Sequence, residues 1–221
     1  MPLSHILFDL DNTLYPDSSG IMQMFDTRIS EYVANFLGLD QAAARQARHE
    51  YYTTYGTTLR GLQATHGDAV DVEHYMTYVH ELEMSAFLAL DAELDARLAQ
   101  IRTPKSIFTN SPAEHAQRVL ATLGIEWHFT HMFDIRFHTF DPKPSPATYQ
   151  RVLDMLGISG EGVVFVEDSP QNLPPAKQLG MTTILLSEKV YDAVNTPADY
   201  VVPDILAALA VVRELEISAT E

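Results

Sequence analysis

Short apolar runs, each closed by polar residues, recur along the chain. They are His5-Ile-Leu-Phe-Asp9-Leu10, Lys105-Ser-Ile-Phe-Thr109, Gly162-Val-Val-Phe-Val-Glu167 and Thr182-Thr-Ile-Leu-Leu186. Runs of this length read as buried strands. Next to them the apolar spacing becomes helical. Ala116, Val119, Leu120 and Leu123 share one face of the segment from Ala113 to Leu123, which stops at Gly124. Tyr149, Val152, Leu153 and Leu156 repeat the scheme from Pro146 to Leu156 before Gly157, and Pro175 to Leu179 stops at Gly180. An apolar stripe followed by glycine is the pattern of a helix and its stop. Strands alternating with such helices predict an α/β fold, a parallel sheet covered on both faces.

From Gly20 to Leu90 the rhythm is purely helical. Ile21, Met24, Phe25, Ile29, Tyr32, Val33 and Phe36 form one stripe, a second runs from Ala42 to Tyr55, and a third covers Val72 to Phe87. This predicts a helical cap, residues 16–90, inserted into a discontinuous core of residues 1–15 and 91–221. The acidic segment from Glu214 to Glu221 reads as a fraying tail.

Composition narrows the function. With 221 residues, 46% of them hydrophobic, the chain can bury one substantial core beside a smaller unit. It has no cysteine, which excludes disulfides, a thiolate nucleophile and thiolate metal ligands. Its 14 basic residues against 30 acidic ones give a formal charge of -16, a balance that speaks against a nucleic-acid polymer or an anionic membrane as partner. No segment approaches the roughly 18–20 apolar residues of a membrane span, so a soluble, cytoplasmic protein is expected.

Ligands of open α/β sheets bind outside the carboxyl ends of the strands. The polar residues there are Asp9 and Asp11, then Thr109-Asn110-Ser111, then Glu167-Asp168, with Lys143 in the turn-rich segment Asp141-Pro-Lys-Pro144. Three or four carboxylates at one sheet edge repel one another unless a cation lies among them, and all-oxygen donors favour Mg²⁺. With a phosphate monoester as ligand the roles separate. Asp9 can attack phosphorus to form an aspartyl-phosphate. Asp11 can protonate the departing alkoxide and then activate water. Mg²⁺ and Lys143 would offset charge on the phosphoryl oxygens, and Thr109 and Asn110 would donate hydrogen bonds to them. Singly, each has a plainer explanation: Asp-x-Asp as a turn or cap, Thr-Asn-Ser as a helix N-cap, Lys143 as a surface lysine. Their order and placement together favour a site.

Asp9-Leu-Asp11-Asn-Thr13, Thr109-Asn110, Lys143-Pro144 and Glu167-Asp168-Ser169 resemble the four motifs of the haloacid dehalogenase-type phosphatase superfamily. The resemblance implies a Rossmann-like core, Asp9 as nucleophile and Asp11 as general acid and base. It also implies Mg²⁺ held by the Asp9 side chain, the Asp11 backbone carbonyl and Asp168, with Glu167 nearby. Asp11-Asn-Thr-Leu-Tyr15, Tyr52 to Leu62, Phe108-Thr-Asn110 and Glu167-Asp-Ser-Pro-Gln-Asn-Leu173 further resemble the pyrimidine 5′-nucleotidase branch, which implies UMP- or CMP-like nucleoside monophosphates as substrates.

The segment Gly56-Thr-Thr-Leu-Arg-Gly61 reads either as an inter-helix loop with a solvated Arg60 or as a loop whose Arg60 grips a nucleotide. His128, His131 and His138 have no metal-site spacing and read as ordinary, partly buried histidines. Three alternatives accompany the nucleotidase reading. A phosphatase of another small phosphometabolite, such as a sugar phosphate, shares every motif. A dehalogenase needs neither Asp11 nor a metal, and a non-catalytic binding protein has no need to keep all the motif carboxylates.

Overall fold

The fold is taken from a computed structural model that describes residues 3–189 and 198–218. The chain divides into two compact units, one made of Met1–Asp17 and Met84–Glu221, the other of Ser18–Glu83.

The first unit is built on a six-stranded parallel sheet in the order β3-β2-β1-β4-β5-β6. The strands are β1 (His5–Phe8), β2 (Lys105–Phe108), β3 (Phe129–Phe133), β4 (Val163–Glu167), β5 (Thr182–Leu186) and β6 (Tyr200–Val202). All residues of β1, β2 and β4 are buried, on both parities, so both faces of the central sheet are covered. One side packs Leu7, Phe108, Phe165 and Leu185 against Tyr149, Val152 and Leu153 of a covering helix. The chain leaves β1 for β2 and β3 on one flank, then returns to β4 and continues to β6 on the other. The strand order therefore reverses at β1, the crevice where open α/β sheets hold ligands. Phe8 lies level with Ile107 on one neighbour and Val166 on the other, which brings three strand ends to one place.

The helices, in chain order, are α1 (Ile21–Leu37), α2 (Gln41–Tyr55), α3 (Thr58–His66) and α4 (Val72–His80), which belong to the second unit, then α5 (Ala92–Ala99), α6 (Ala113–Leu123), α7 (Pro146–Leu156), α8 (Leu173–Gln178) and α9 (Ile205–Ser218). In the second unit Tyr32 meets Tyr75 edge-on at 4.9 Å, and Arg28 donates to the Tyr78 carbonyl at 2.6 Å with its guanidinium over that ring. No helix among the described residues is long and apolar enough to cross a membrane.

Several expectations need correction. Gly56 to Gly61 is not a loop. Gly56 ends α2 in the left-handed region, Thr57 caps α3 by accepting from Arg60 N at 3.1 Å, and Gly61 lies inside α3. A Cβ at Gly61 would overlap the Tyr51 side chain, so this glycine permits the close approach of two helices. The third stripe ends at His80 rather than Phe87, because the chain leaves the helical unit at Glu83 and Met84 is buried in the other one. Glu214 to Ser218 is no tail: it is the last turn of α9, and Glu216 accepts from the Arg102 and Thr103 amides and the Thr103 hydroxyl at 2.7–2.9 Å. Strands β3 and β6 and helices α3, α5 and α9 have no counterpart among the elements that the sequence pattern predicts.

Candidate active site

Asp9 follows β1 and is fixed there by its own amide, which donates to the Val166 carbonyl at 2.9 Å. The chain then turns sharply: Asn12 stands in the left-handed region at φ 60°, which asparagine tolerates better than most residues. The turn returns Thr13, whose hydroxyl donates to Asp9 Oδ2 at 3.0 Å.

Lys143 is the hub. Its ammonium is buried and donates to Asp9 Oδ1 at 2.7 Å, Glu167 Oε2 at 2.8 Å and the Phe108 carbonyl at 2.8 Å. Three acceptors satisfy its three hydrogens. The Phe108 and Phe165 rings lie 4.9 and 5.3 Å from Nζ and keep water away, which strengthens each of these charged contacts. Burial opposes the lysine charge, and Asp9 and Glu167 overcome it, so its pKa is raised.

Asp9, Glu167 and Asp168 offer carboxylate oxygens that all lie within 4.8 Å of one another. Their carboxyls are correspondingly hard to ionise. Burial, then the Glu167 charge, pushes Asp9 up to about 7. Burial and Asp9 push Asp168 up to about 6, and Glu167 is raised by burial against the pull of Lys143. One lysine does not balance three clustered carboxylates. An all-oxygen donor set with surplus negative charge fits a hard divalent cation.

Asp11 occupies a different surrounding. Oδ1 accepts from the Tyr15 hydroxyl and lies 2.8 Å from His115 Nε2, and Oδ2 accepts from the Ser111 hydroxyl at 2.5 Å. Burial works to raise this carboxyl, but His115, Ser111 and Tyr15 together hold it well below the usual carboxylate range.

The two polar residues after β2 have framework partners. Thr109 Oγ1, fully buried, accepts from the Ser111 amide at 2.9 Å and retains its own hydrogen for donation. The Asn110 amide brackets the Lys143 backbone: Nδ2 donates to its carbonyl at 3.2 Å, and Oδ1 accepts from its N–H at 2.8 Å.

The structure thus brings Asp9, Lys143, Glu167 and Asp168 together, with Asn110 bonded to the Lys143 backbone and Thr109 next to it in the chain. Arg60 lies in the helical unit, exposed in the first turn of α3. Among the three histidines set aside, His128 bonds Asp95 at 2.7 Å, His138 bonds the Phe133 carbonyl at 3.2 Å and His131 bonds Thr130 at 3.0 Å. The sequence places Ser111 at this strand end without its bond to Asp11, and it gives His115 and Tyr15 no part in the site. A signal for His115 was present: it lies four residues before Val119, a polar residue on the apolar stripe of α6.

A family profile described as haloacid dehalogenase-like hydrolase matches residues 3–180. The chain belongs to this family. Among curated relatives it is 27% identical over 204 residues to phosphate metabolism protein 8 of Saccharomyces cerevisiae, covering 85% of this chain and 63% of that protein. It is 26% identical over 192 residues to a phosphoglycolate phosphatase of Pectobacterium atrosepticum, covering 81% of this chain and 78% of the relative. The chain therefore spans less than two thirds of the yeast relative. Two solved structures share the family fold. A phosphatase from Thermococcus onnurineus superimposes with a TM-score of 0.63 at 19% identity, covering 94% and 97% of the two chains. An L-2-haloacid dehalogenase from Xanthobacter autotrophicus superimposes with a TM-score of 0.60 at 17% identity, covering 96% and 99%. One fold within the family thus carries both phosphatases and dehalogenases, and the side chains at the strand ends must separate them.

Proposed function

We propose that this protein is a Mg²⁺-dependent phosphatase that hydrolyses nucleoside 5′-monophosphates, pyrimidine ones such as UMP and CMP, through an aspartyl-phosphate on Asp9. The observation that carries the chemistry is the Lys143 ammonium between Asp9 and Glu167, with Asp168 completing a carboxylate trio.

Asp9 attacks phosphorus, an O–P bond forms to its carboxylate, and the ester P–O bond breaks. Asp11 rests ionised among its three donors, so the proton it hands to the departing alkoxide must first reach it, and a monoester entering as its monoanion can bring one. Water then attacks the aspartyl-phosphate with Asp11 as base, releasing inorganic phosphate and free Asp9. Lys143 favours the ionised, nucleophilic form of Asp9 and remains close as charge gathers on the phosphoryl oxygens. The Thr109 hydroxyl donates to those oxygens. Asn110, whose amide carries a second hydrogen, donates there while holding the Lys143 backbone. The Asp9 and Asp168 carboxylates and the Asp11 carbonyl would hold the cation, with Glu167 beside them. When bound, Mg²⁺ supplies positive charge that lowers the Asp9 pKa and offsets charge on the transferring group.

The nucleotide reading rests on the likeness of Asp11 to Tyr15 and Tyr52 to Leu62 to pyrimidine nucleotidases, and it gives Arg60 a role in gripping the nucleotide. The phosphoglycolate phosphatase relatives favour a second reading equally, a small phosphometabolite such as 2-phosphoglycolate or a sugar phosphate. Phosphate release from UMP, CMP, 2-phosphoglycolate and a set of sugar phosphates separates the two. Release from UMP and CMP, lost with EDTA and in Asp9→Asn, is the expected result. Full activity in Asp9→Asn would sink the mechanism, and preference for 2-phosphoglycolate would transfer the site to the second substrate. Arg60→Ala should raise KM for UMP while sparing p-nitrophenyl phosphate.

A further inference from the structure

The three contacts on Asp11 come from three directions and occupy both of its oxygens. One donor on each oxygen fixes where the carboxyl points, and the third fixes the rotation of its plane. Tyr15 and Ser111 stand on connecting segments, in the turn after β1 and in the link between β2 and α6. His115 comes from a helix. It is fully buried in the first turn of α6, whose Ala116, Val119, Leu120 and Leu123 are buried with it. That turn is itself tied down, because Asp134 Oδ2 accepts from the Ala113 amide at 3.0 Å while Asp134 Oδ1 accepts from the Phe137 amide at 2.8 Å. A fully buried imidazole on an anchored helix keeps one ring orientation, and its Nε2 meets the Asp11 carboxylate at 2.8 Å.

We propose that His115 is the positioning residue of Asp11: it holds the Asp11 carboxyl in the orientation from which a proton brought by the entering ester passes on to the leaving oxygen. The inference rests on the reading of Asp11 as general acid. His115 touches neither ester nor phosphoryl group in this scheme and acts only through Asp11. Small displacements of a reacting group can cost about 10²-fold in rate, so a fixed carboxyl is worth a buried histidine.

Leaving-group dependence tests this. A nitrophenolate departs as a stable anion without a proton, whereas the 5′-oxygen of UMP, or the alkyl oxygen of 2-phosphoglycolate if the second substrate reading holds, needs one. The value of kcat/KM covers the steps through ester cleavage, and so reports the protonation. His115→Met fills the ring's space with no donor, and His115→Gln retains an N–H at about the reach of Nε2.

In His115→Met, kcat/KM for the alkyl ester should fall at least about tenfold further than for p-nitrophenyl phosphate, and His115→Gln should restore most of that difference. Equal losses on both esters, or no loss, would overturn the proposal, since a merely structural histidine lowers both alike. If His115→Met does not fold, His115→Ala with and without added imidazole takes its place: a disturbed ratio between the two esters that imidazole restores supports positioning, and a wild-type ratio without imidazole overturns it. Asp11→Asn on the same pair separates the two levels. Selectivity lost there while His115→Met stays even-handed sinks only the positioning role. An Asp11→Asn enzyme that treats both esters alike, or a wild-type protein inert on every ester, sinks the acid reading and this inference with it.

Discussion

Asn110 grips the backbone of Lys143 through both ends of its amide, donating to the carbonyl at 3.2 Å and accepting from the N–H at 2.8 Å. The residue after β2 thereby sets where the lysine stem begins, and the stem delivers the ammonium to Asp9. Asn110→Asp keeps the shape but turns one donor into an oxygen that faces the Lys143 carbonyl. Its kcat on p-nitrophenyl phosphate should fall by about 10²-fold or more, as for other misplaced catalytic groups. A mutant within threefold of wild type would show that Lys143 finds its position unaided.

Removing the ammonium tests the hub itself. Lys143→Met leaves Asp9 and Glu167 buried without their shared cation, and breaking a buried pair costs about 3–5 kcal/mol. Carboxyl pKa values that are already raised would rise further, and a folded state that holds extra protons loses stability as pH rises. In metal-free buffer the deficit should be largest near pH 8 and shrink near pH 5. Urea titrations at the two pH values read this directly, and a deficit independent of pH would contradict the charge argument.

The same linkage governs the wild-type protein. Asp9 and Asp168 are raised to about 7 and about 6, from an ordinary value of 3.8. Between roughly pH 4 and 7 the folded state binds more protons than the unfolded one, so metal-free stability should decline across that window. A divalent cation prefers the ionised trio, and its binding stabilises the fold. The gain in Tm on adding Mg²⁺ should therefore be greater at pH 7.5 than at pH 5. An equal gain at both would place the cation elsewhere.

Gly61 offers a prediction away from the site. Its missing side chain lets α3 approach the Tyr51 side chain of α2, and a methyl group there overlaps the tyrosine. Gly61→Ala should destabilise the protein by about 1–3 kcal/mol through overpacking, despite alanine's better helix propensity. Adding Tyr51→Ala should recover part of the loss. Additive losses in the double mutant would mean that the two positions do not meet.

What could be read from the sequence follows burial. β1, β2, β4 and β5 stand out as apolar runs because neighbours on both sides and helices on both faces leave little room for polar residues. The strands at the two ends of the sheet do not. β3 carries exposed Thr130 and His131, and β6 is three partly exposed residues. Helix α9 has no legible signature, because Ile205 to Val212 is apolar at every position and shows no helical period. Helix α3 is masked because two glycines five residues apart look like the ends of a loop, whereas Gly56 ends α2 and Gly61 lies inside α3. At the site, Asp9, Lys143, Glu167 and Asp168 were legible because strand ends and turns position them. The partners of Asp11 were not, since Tyr15, Ser111 and His115 meet only once β1 and β2 are side by side.

The strand that carries Asp9 has no hydrogen-bonded neighbour close to it in the chain: His5–Phe8 pairs with Lys105–Phe108 and with Val163–Glu167. During synthesis Asp168 follows Asp9 by 159 positions. At ~5–20 residues per second that interval is on the order of ten seconds or more. Throughout it the apolar Ile6-Leu-Phe8 run is without its final neighbours, and the nascent chain holds an incomplete hydrophobic strand beside a helical segment already made in full. Nascent-chain folding should therefore complete late, with the centre of the sheet closing only after β4 emerges.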